Sequence, residues 1–345
     1  MNQTYYSQNG HTSRILIVGA GVVGTATGTG LSKKGFHVSY VDIKPETIAR
    51  LRSQGFRATT AAQVNWDEVD IVMLTVSTPT VGGRISLDYI ASAARDVGRG
   101  LATTSNFATV VVRSTVPPTT TERCLTPILE QASGKQAGID FGIAMNPEFL
   151  RQKHAVQDFD RPWLTVLGVS DPRTAETLKA VYAPFGGLII YCTPTEAEMI
   201  KYVNNIYNAV KISYFNEVHQ ICEQLGIDSN VVGAVVARSA ESMWNPLYGI
   251  RGGVPYGGAC LPKDAAAFLA FCRDNGWEHL MLESAIETNR RLEASIPAAE
   301  SPDQIGDILG LTITPKLDRS TAGLPLLNGA SRPAAFKDGD ATISA

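Results

Sequence analysis

Arg14-Ile15-Leu16-Ile17-Val18-Gly19-Ala20-Gly21-Val22-Val23-Gly24 decides the fold. The run Arg14 to Val18 is short and apolar, as expected of a parallel strand buried on both faces. It leads straight into a GxGxxG, and a helix is predicted from there to about Lys34. A second strand, His37 to Val41, ends on Asp42. A GxGxxG alone says little, but preceding strand, following helix and an acidic residue about 20 positions on are the context that a dinucleotide fingerprint requires. Gly19, Gly21 and Gly24 permit the turn, the approach of a pyrophosphate and close helix–strand packing. The helix N-terminus, with Val22 and Val23, stabilises the phosphates. Asp42 can accept hydrogen bonds from ribose hydroxyls and would repel a 2′-phosphate, an exclusion that Lys44 weakens slightly. The residues therefore read as an NAD site in preference to an NADP site, the plain alternative being a glycine-rich turn that holds no nucleotide.

Outward from this unit, strands are expected at Val69–Val76, Thr109–Arg113, Phe141–Met145, Trp163–Leu167 and Leu188–Tyr191, with a helix near Leu87–Val97. The first three end in Ser77-Thr78-Pro79-Thr80, Ser114-Thr115-Val116-Pro117-Pro118 and Asn146-Pro147-Glu148-Phe149-Leu150. In a doubly wound sheet, ligands sit beyond the carboxyl ends of strands, although Ser, Thr and Pro there also serve as turn residues. From about Glu196 a long helix runs to Gly226, with apolar positions at Met199, Val203, Ile206, Val210, Tyr214, Val218 and Ile221. Lys201, Asn205 and Asn208 form a polar stripe at i+4 and i+3; spacing alone does not separate a site from a solvated face. Shorter helices come next, near Ser229–Val236 and His279–Leu292. The expected architecture is α/β: a Rossmann-like, doubly wound parallel sheet over 14–193, then a helical central and dimerisation domain over 194–296. Residues 1–13 are expected to be a disordered extension and 297–345 a partly disordered tail.

The second informative stretch is Tyr256-Gly257-Gly258-Ala259-Cys260-Leu261-Pro262-Lys263-Asp264. Pro262 is favoured in a first helical turn, so Cys260 falls at or just before a helix start, where the macrodipole favours a thiolate. Asp264, four residues on, shares its helix face. An inert buried thiol is the ordinary alternative for a cysteine. The five cysteines are scattered, with no CxxC pair and no zinc-like spacing, which suits a reducing compartment and no metal site. A net charge of −3 argues against nucleic acid or an anionic membrane surface as partner. No apolar run reaches the length of a membrane span, and a cytoplasmic location is expected.

In six ordered motifs over roughly residues 14–292, the chain resembles the UDP-glucose/GDP-mannose dehydrogenases. These motifs are the GxGxxG, Ser77–Thr80, Arg113–Pro117, Asn146–Arg151, Glu198–Tyr202 with Asn205, and Gly257–Asp264. The resemblance implies oxidation of a primary alcohol to a carboxylate in two hydride transfers to NAD, through a thiohemiacetal and a thioester on Cys260. It further implies that Lys201 and Asn205 stabilise the substrate oxyanion, and that Asp264, Thr115 and Glu148 handle protons and water, with Glu148 as general base. Thr78, Thr115 and Lys263 would lie beside NAD. Glu148, Phe149, Leu150, Arg151, Lys201, Asn205, Tyr256, Gly257 and Arg251 would contact the substrate.

Four departures stand out. Gln152 replaces the family's second glutamate, and Thr119 a glycine. Trp244 stands near the position of the arginine that reaches into a neighbouring subunit, for which Arg251 could substitute. The family's third, nucleotide-binding domain has no counterpart in the tail. The expected substrate is therefore nucleotide-sugar-like and smaller or differently held: a sugar phosphate, a nucleoside or a nucleoside monophosphate, with a conventional UDP- or GDP-sugar as the alternative if another subunit completes the pocket. A two-electron oxidation ending at the aldehyde, favoured by Gln152, and a catalytically inactive NAD-binding regulatory relic are the other readings. A homodimer through the long helix is expected.

Overall fold

The computed structural model describes residues 13–151, 154–246, 248–250 and 252–295, with only the backbone of Trp244. The expectations for the N-terminal extension, Gln152, Arg251, the Trp244 side chain and the tail lie outside them, Ser13 excepted, which is buried at the edge of the first strand. Two compact units divide between Asn216 and Glu217.

The first unit is built on ten short strands. They are β1 (Arg14–Val18), β2 (His37–Val41), β3 (Arg57–Thr59), β4 (Ile71–Leu74), β5 (Thr80–Val81), β6 (Arg84–Ile85), β7 (Thr109–Val112), β8 (Gly142–Met145), β9 (Leu164–Val169) and β10 (Leu188–Cys192). β5 and β6 form a separate hairpin, and the other eight make one sheet in the order β10-β9-β8-β7-β4-β1-β2-β3. From β3 to β8 all neighbours are parallel. The parallel expectation needs one correction: β9 pairs antiparallel with β8, and β10 runs parallel to β9.

Every residue of β4, β7 and β8 is buried, because helices cover both faces. Side chains of a strand alternate between faces, and the core divides accordingly. Ile15, Ile17, Ile71 and Met73 pack with Leu31 of α1 (Val22–Lys33), Ile48 and Leu51 of α2 (Pro45–Ser53) and, further along, Leu178 and Val181. Leu16, Val18, Val72 and Leu74 face the other way, onto Ile90, Ala94 and Val97 of α3 (Asp88–Leu101) and Leu129 of α4 (Thr126–Ser133). The helix expected at Leu87–Val97 thus extends to Leu101. α5 (Ala155–Asp160) and α6 (Pro172–Tyr182) precede the long helix α7 (Pro194–Leu225).

Between β7 and α4 the chain makes a five-residue π-turn, Thr121–Leu125. Two residues before it, Thr119 has φ 75°, a left-handed conformation that a β-branched residue seldom adopts. Glycine, which the resemblance implies at this position, reaches the same conformation without strain. The turn is tied to α7 by Glu198, which is fully buried and accepts hydrogen bonds from the Thr121 N–H at 2.7 Å and hydroxyl at 2.6 Å.

The second unit contains the end of α7, then α8 (Ser229–Ser239), α9 (Glu241–Trp244), α10 (Leu261–Asp274) and α11 (Leu280–Ser295). The Asp228 carboxylate caps α8 through the Asn230 N–H at 2.8 Å. His279, buried ahead of α11, pairs with Glu217, whose carboxylate also accepts the Met281 N–H at 3.1 Å. Among the described residues of this unit, the buried apolar set is Ile221, Cys222, Leu269 and Cys272.

Thr119 and Glu198 each make the stability of the π-turn testable. Thr119→Gly relieves a left-handed β-branched residue, which costs about 1–2 kcal/mol, and gives back part of that gain in unfolded-state entropy. The net expectation is a gain of roughly 0.5–1 kcal/mol in urea unfolding; a loss would mean that the Thr119 side chain supports the turn. Burial pushes the Glu198 carboxyl up, against the opposing hydrogen bonds from Thr121. A raised folded value means that its contribution is complete below the ordinary glutamate range and is lost as pH rises through the folded value. Glu198→Gln should therefore gain on the unsubstituted chain as pH is raised from about 4.5, and a pH-independent difference in unfolding free energy would rule this out.

Candidate functional site

The carboxyl ends of β1, β4 and β7 open onto a cleft of about 1010 Å³. Its floor is the glycine turn. Gly19 has φ +94°, and a Cβ there would lie 2.9 Å from the Val76 backbone. A Cβ on Gly24 would come within 2.0 Å of the Gly19 carbonyl oxygen, so only glycine lets α1 start this close to the strand. Gly21 differs: a Cβ built on it meets nothing within 4 Å, because the space in front of it belongs to the cleft. The first-turn N–H groups of α1, those of Val22 and Val23 among them, have no partner within the helix and line this space. A pyrophosphate fits the cradle in shape and charge.

Asp42 comes directly after β2 and lines the same cleft. Its carboxylate accepts the Ala20 N–H at 2.8 Å and the Lys44 N–H at 2.9 Å, one on each oxygen. Both bonds hold it at the strand edge and leave each oxygen a lone pair for a ribose hydroxyl. Thr78 and Thr115 also line the cleft and are tied together, the Thr78 hydroxyl donating to the Thr115 carbonyl at 2.8 Å.

Beyond β8 and ahead of β9 lies a second cleft, of about 510 Å³. Phe149, Leu150 and Arg151 line it, together with Trp163, Asn204 and Asn208. Glu148 and Arg113 line both clefts. Behind Glu148 stands Lys201 of α7, 5% exposed, whose ammonium donates to the Glu148 carboxylate at 2.9 Å and to its backbone carbonyl at 2.5 Å. The other Glu148 oxygen accepts the Leu150 N–H at 2.7 Å. Removing one partner of such a buried pair costs about 3–5 kcal/mol. Asn205 is exposed and lines neither of these clefts; of the stripe expected on α7, Asn208 does, joined by Asn204 one turn earlier. Arg151 forms a two-pronged ion pair with Asp158.

In the second unit Cys260 takes the N-cap position of α10, with Pro262 in the first turn and the Asp264 N–H bonded to the Cys260 carbonyl at 2.8 Å. The thiol is exposed, and Lys263 pairs with Asp264 at 3.2 Å. The other cysteines are poorer nucleophiles. Cys222 and Cys272 are buried, burial pushes Cys192 up to about 12, and Cys124 is half-buried in the π-turn. Tyr256 and Gly257 precede the motif in an irregular stretch. Sequence reasoning missed what holds that stretch. Asn289 of α11, 8% exposed, accepts the Tyr256 N–H at 2.7 Å and donates to the Tyr256 carbonyl at 3.1 Å. An asparagine amid Glu287, Arg290 and Arg291 looks like part of a solvated face, so only its burial gives it away.

Residues 50–186 match the NAD-binding domain of the UDP-glucose/GDP-mannose dehydrogenase family, and residues 195–291 match that family's central domain. GDP-mannose 6-dehydrogenase of Pseudomonas putida is 37% identical over 275 residues, which cover 74% of this chain and 63% of that protein. UDP-glucose 6-dehydrogenase of Haloferax volcanii is 36% identical over 301 residues, covering 79% and 68%. The crystal structure of a ternary complex of GDP-mannose dehydrogenase from Pseudomonas aeruginosa superposes with a TM-score of 0.75 at 34% identity, over 81% of this chain and 69% of that one. The chain thus spans 63% of the length of the P. putida relative. With both domains matched in order and a Rossmann sheet that presents the glycine turn and Asp42, the chain belongs to the UDP-glucose/GDP-mannose dehydrogenase family, and NAD is its cofactor.

Proposed function

We propose that the chain oxidises the primary alcohol of a nucleotide-sugar-like substrate to a carboxylate, using two NAD and one water. The observation that carries this reading is that Glu148, held by Lys201, lines the dinucleotide cleft and the second cleft at once. A hydride donor in one cleft and an acceptor in the other would face each other across a buried acid–ammonium pair.

Bound NAD supplies two-electron acceptance. The chain's own groups do the rest. Lys201 stabilises negative charge on the substrate oxygen as the alcohol proton leaves; the same role, implied for Asn205 by the resemblance, is not favoured by its exposed position outside both clefts. In the structure both Glu148 oxygens are engaged, so an arriving substrate oxygen must draw Lys201 off the carboxylate. That frees Glu148 to accept a proton, from the alcohol or later from water. Cys260 takes the aldehyde: its thiolate adds to the carbonyl carbon, giving a thiohemiacetal. Loss of the second hydride leaves a thioester, and water attack releases the carboxylate and restores the thiol. Three protons are released in all, one with each hydride and one as the acid ionises. Asp264 and Thr115 position the water. Arg151, Phe149 and Leu150 shape the second cleft around the sugar, with Tyr256 and Gly257 as further substrate contacts and Lys263 beside NAD.

Relatives named for GDP-mannose and UDP-glucose support a sugar nucleotide as substrate. The second cleft's modest volume keeps a sugar phosphate or a nucleoside monophosphate among the candidates. The expected domain division at 193/194 falls where the sheet ends and α7 begins, whereas the compact units divide further along α7, between Asn216 and Glu217. A homodimer through α7 is supported by Met199, Val203, Ile206 and Val210, each 45–56% exposed along the helix.

Counting NADH per substrate consumed over a panel of nucleotide sugars and sugar phosphates tests the reading. The expected ratio is two; a ratio of one would leave only oxidation to the aldehyde, and no turnover on any member would defeat the proposal. Cys260→Ala should lower carboxylate formation by at least about 10³-fold while leaving NAD binding intact. Gly21→Ala should fold normally, since its Cβ meets no protein atom, yet weaken NAD binding by about tenfold or more by intruding on the pyrophosphate's space; an unchanged dissociation constant in fluorescence titration would put the pyrophosphate elsewhere.

A further inference from the structure

Arg113 ends β7's run into the Ser114–Pro118 loop and is 3% exposed. Its Nη1 donates to the Asn146 side-chain carbonyl and, at 2.9 Å, to the Tyr182 hydroxyl; its guanidinium lies 5.4 Å from the centre of the Phe159 ring. All three neighbours are uncharged, and burial pushes the Tyr182 phenol up, which keeps it so. Nε is buried without an acceptor, Nη2 makes no hydrogen bond, and Arg113 forms no ion pair among the described residues.

A buried guanidinium without a counter-charge is costly, and the second cleft offers it none. The two carboxylates that line that cleft are already taken, Glu148 by Lys201 and Asp158 by Arg151. Arg161, exposed on the rim, makes no ion pair either among the described residues, so the cleft carries a surplus of positive charge. The guanidinium's neighbours Asn146, Phe159 and Tyr182 all line the second cleft and none of them lines the dinucleotide cleft, which sets its head at the former. The sheet order sets β7 two strands away from β1, or about 10 Å from the glycine turn at the usual interstrand spacing.

We propose that Arg113 is an oxyanion-binding residue of the second cleft, where a charged group of the ligand docks on Nη2, the guanidinium nitrogen that is neither hydrogen-bonded nor sealed from the cleft. This rests on reading the second cleft as the substrate's. A guanidinium N–H makes a charge-assisted hydrogen bond to a carboxylate or phosphate oxygen. The group is therefore either a phosphoryl group on the incoming substrate or the carboxylate of the acid product. In the second case the acid would bind better than the alcohol and slow its own release.

The test is calorimetric binding to the full chain with NADH present, so that no alcohol is oxidised. The three probes are a neutral hexose, its 1-phosphate and its uronate. A charged probe should bind at least about tenfold tighter than the neutral sugar, as expected for a charge-assisted bond. A preference for the phosphate assigns the site to the substrate, and one for the uronate assigns it to the product. Arg113→Gln should reduce the preference to within about twofold, with NADH affinity measured beside it to show that the variant still folds. Should that variant lose NADH binding, Arg113→Lys decides, because it keeps the charge and lacks the guanidinium's fixed Nη2 donor. A fall in preference of about fivefold supports the site. Equal binding of charged and neutral probes, or a preference that survives the substitution, overturns it. Because nothing is turned over, failure here leaves the NADH count untouched, and failure there leaves this binding measurable.

Discussion

Six parallel strands, the central ones buried on both faces, leave the polypeptide one place to gather polar groups, the edge where their carboxyl ends emerge. β4, β7 and β8 are buried throughout; the residue after each is Thr75, Arg113 and Asn146, all buried and polar. Thr75 and Asn146 offset their burial with hydrogen bonds that pin a loop. Thr75 donates to the Gly19 carbonyl at 2.6 Å, fixing the glycine turn, and Asn146 donates to the Val166 carbonyl at 2.7 Å, fixing the start of β9. The loops at this edge are thus held by the last polar residue of the strand beneath them, and the two clefts take their shape from that.

The same edge explains why α7 carries buried charge. Its first turns pack on the core through Ala197, yet Glu198 and Lys201 on the same stretch are buried too. Each reaches a different loop: Glu198 the π-turn after β7, Lys201 the Glu148 loop after β8. One helical turn therefore ties both loops to one rigid element, and the charged groups that do so are paired or hydrogen-bonded, as burial requires. A site assembled this way is positioned by a helix and a sheet, with its loops held at both ends.

What could be read from the residue pattern was local. Arg14–Gly24 and Asp42 specify strand, turn, helix and strand by periodicity and glycine spacing, and Pro262 marks the start of α10 beneath Cys260. The missed features are those whose cause lies far off in sequence. Arg57–Thr59 is too short to show a period. The reversal of β9 leaves no trace in its composition, since a buried strand reads alike in either direction. Thr119 gave no local sign of its left-handed backbone, because nothing in its neighbours demands φ > 0. Asn204 and Asn205 are indistinguishable by type; only the helix's rotation against the sheet chooses which meets the second cleft.

Arg113 is the extreme case. In the chain it is the last residue of an apolar strand and the first of a motif, and either role would account for an arginine. Its environment decides between them: Asn146, Tyr182 and Phe159 come from three separate elements, and none brings a charge. A purely structural anchor at that position would be served by a neutral donor, with no isolated cation to bury. Lys201 on α7 has its carboxylate; Arg113 has none among the described residues. The asymmetry between two buried cations at one sheet edge is what separates a pair set to be opened by a ligand from a charge waiting for one.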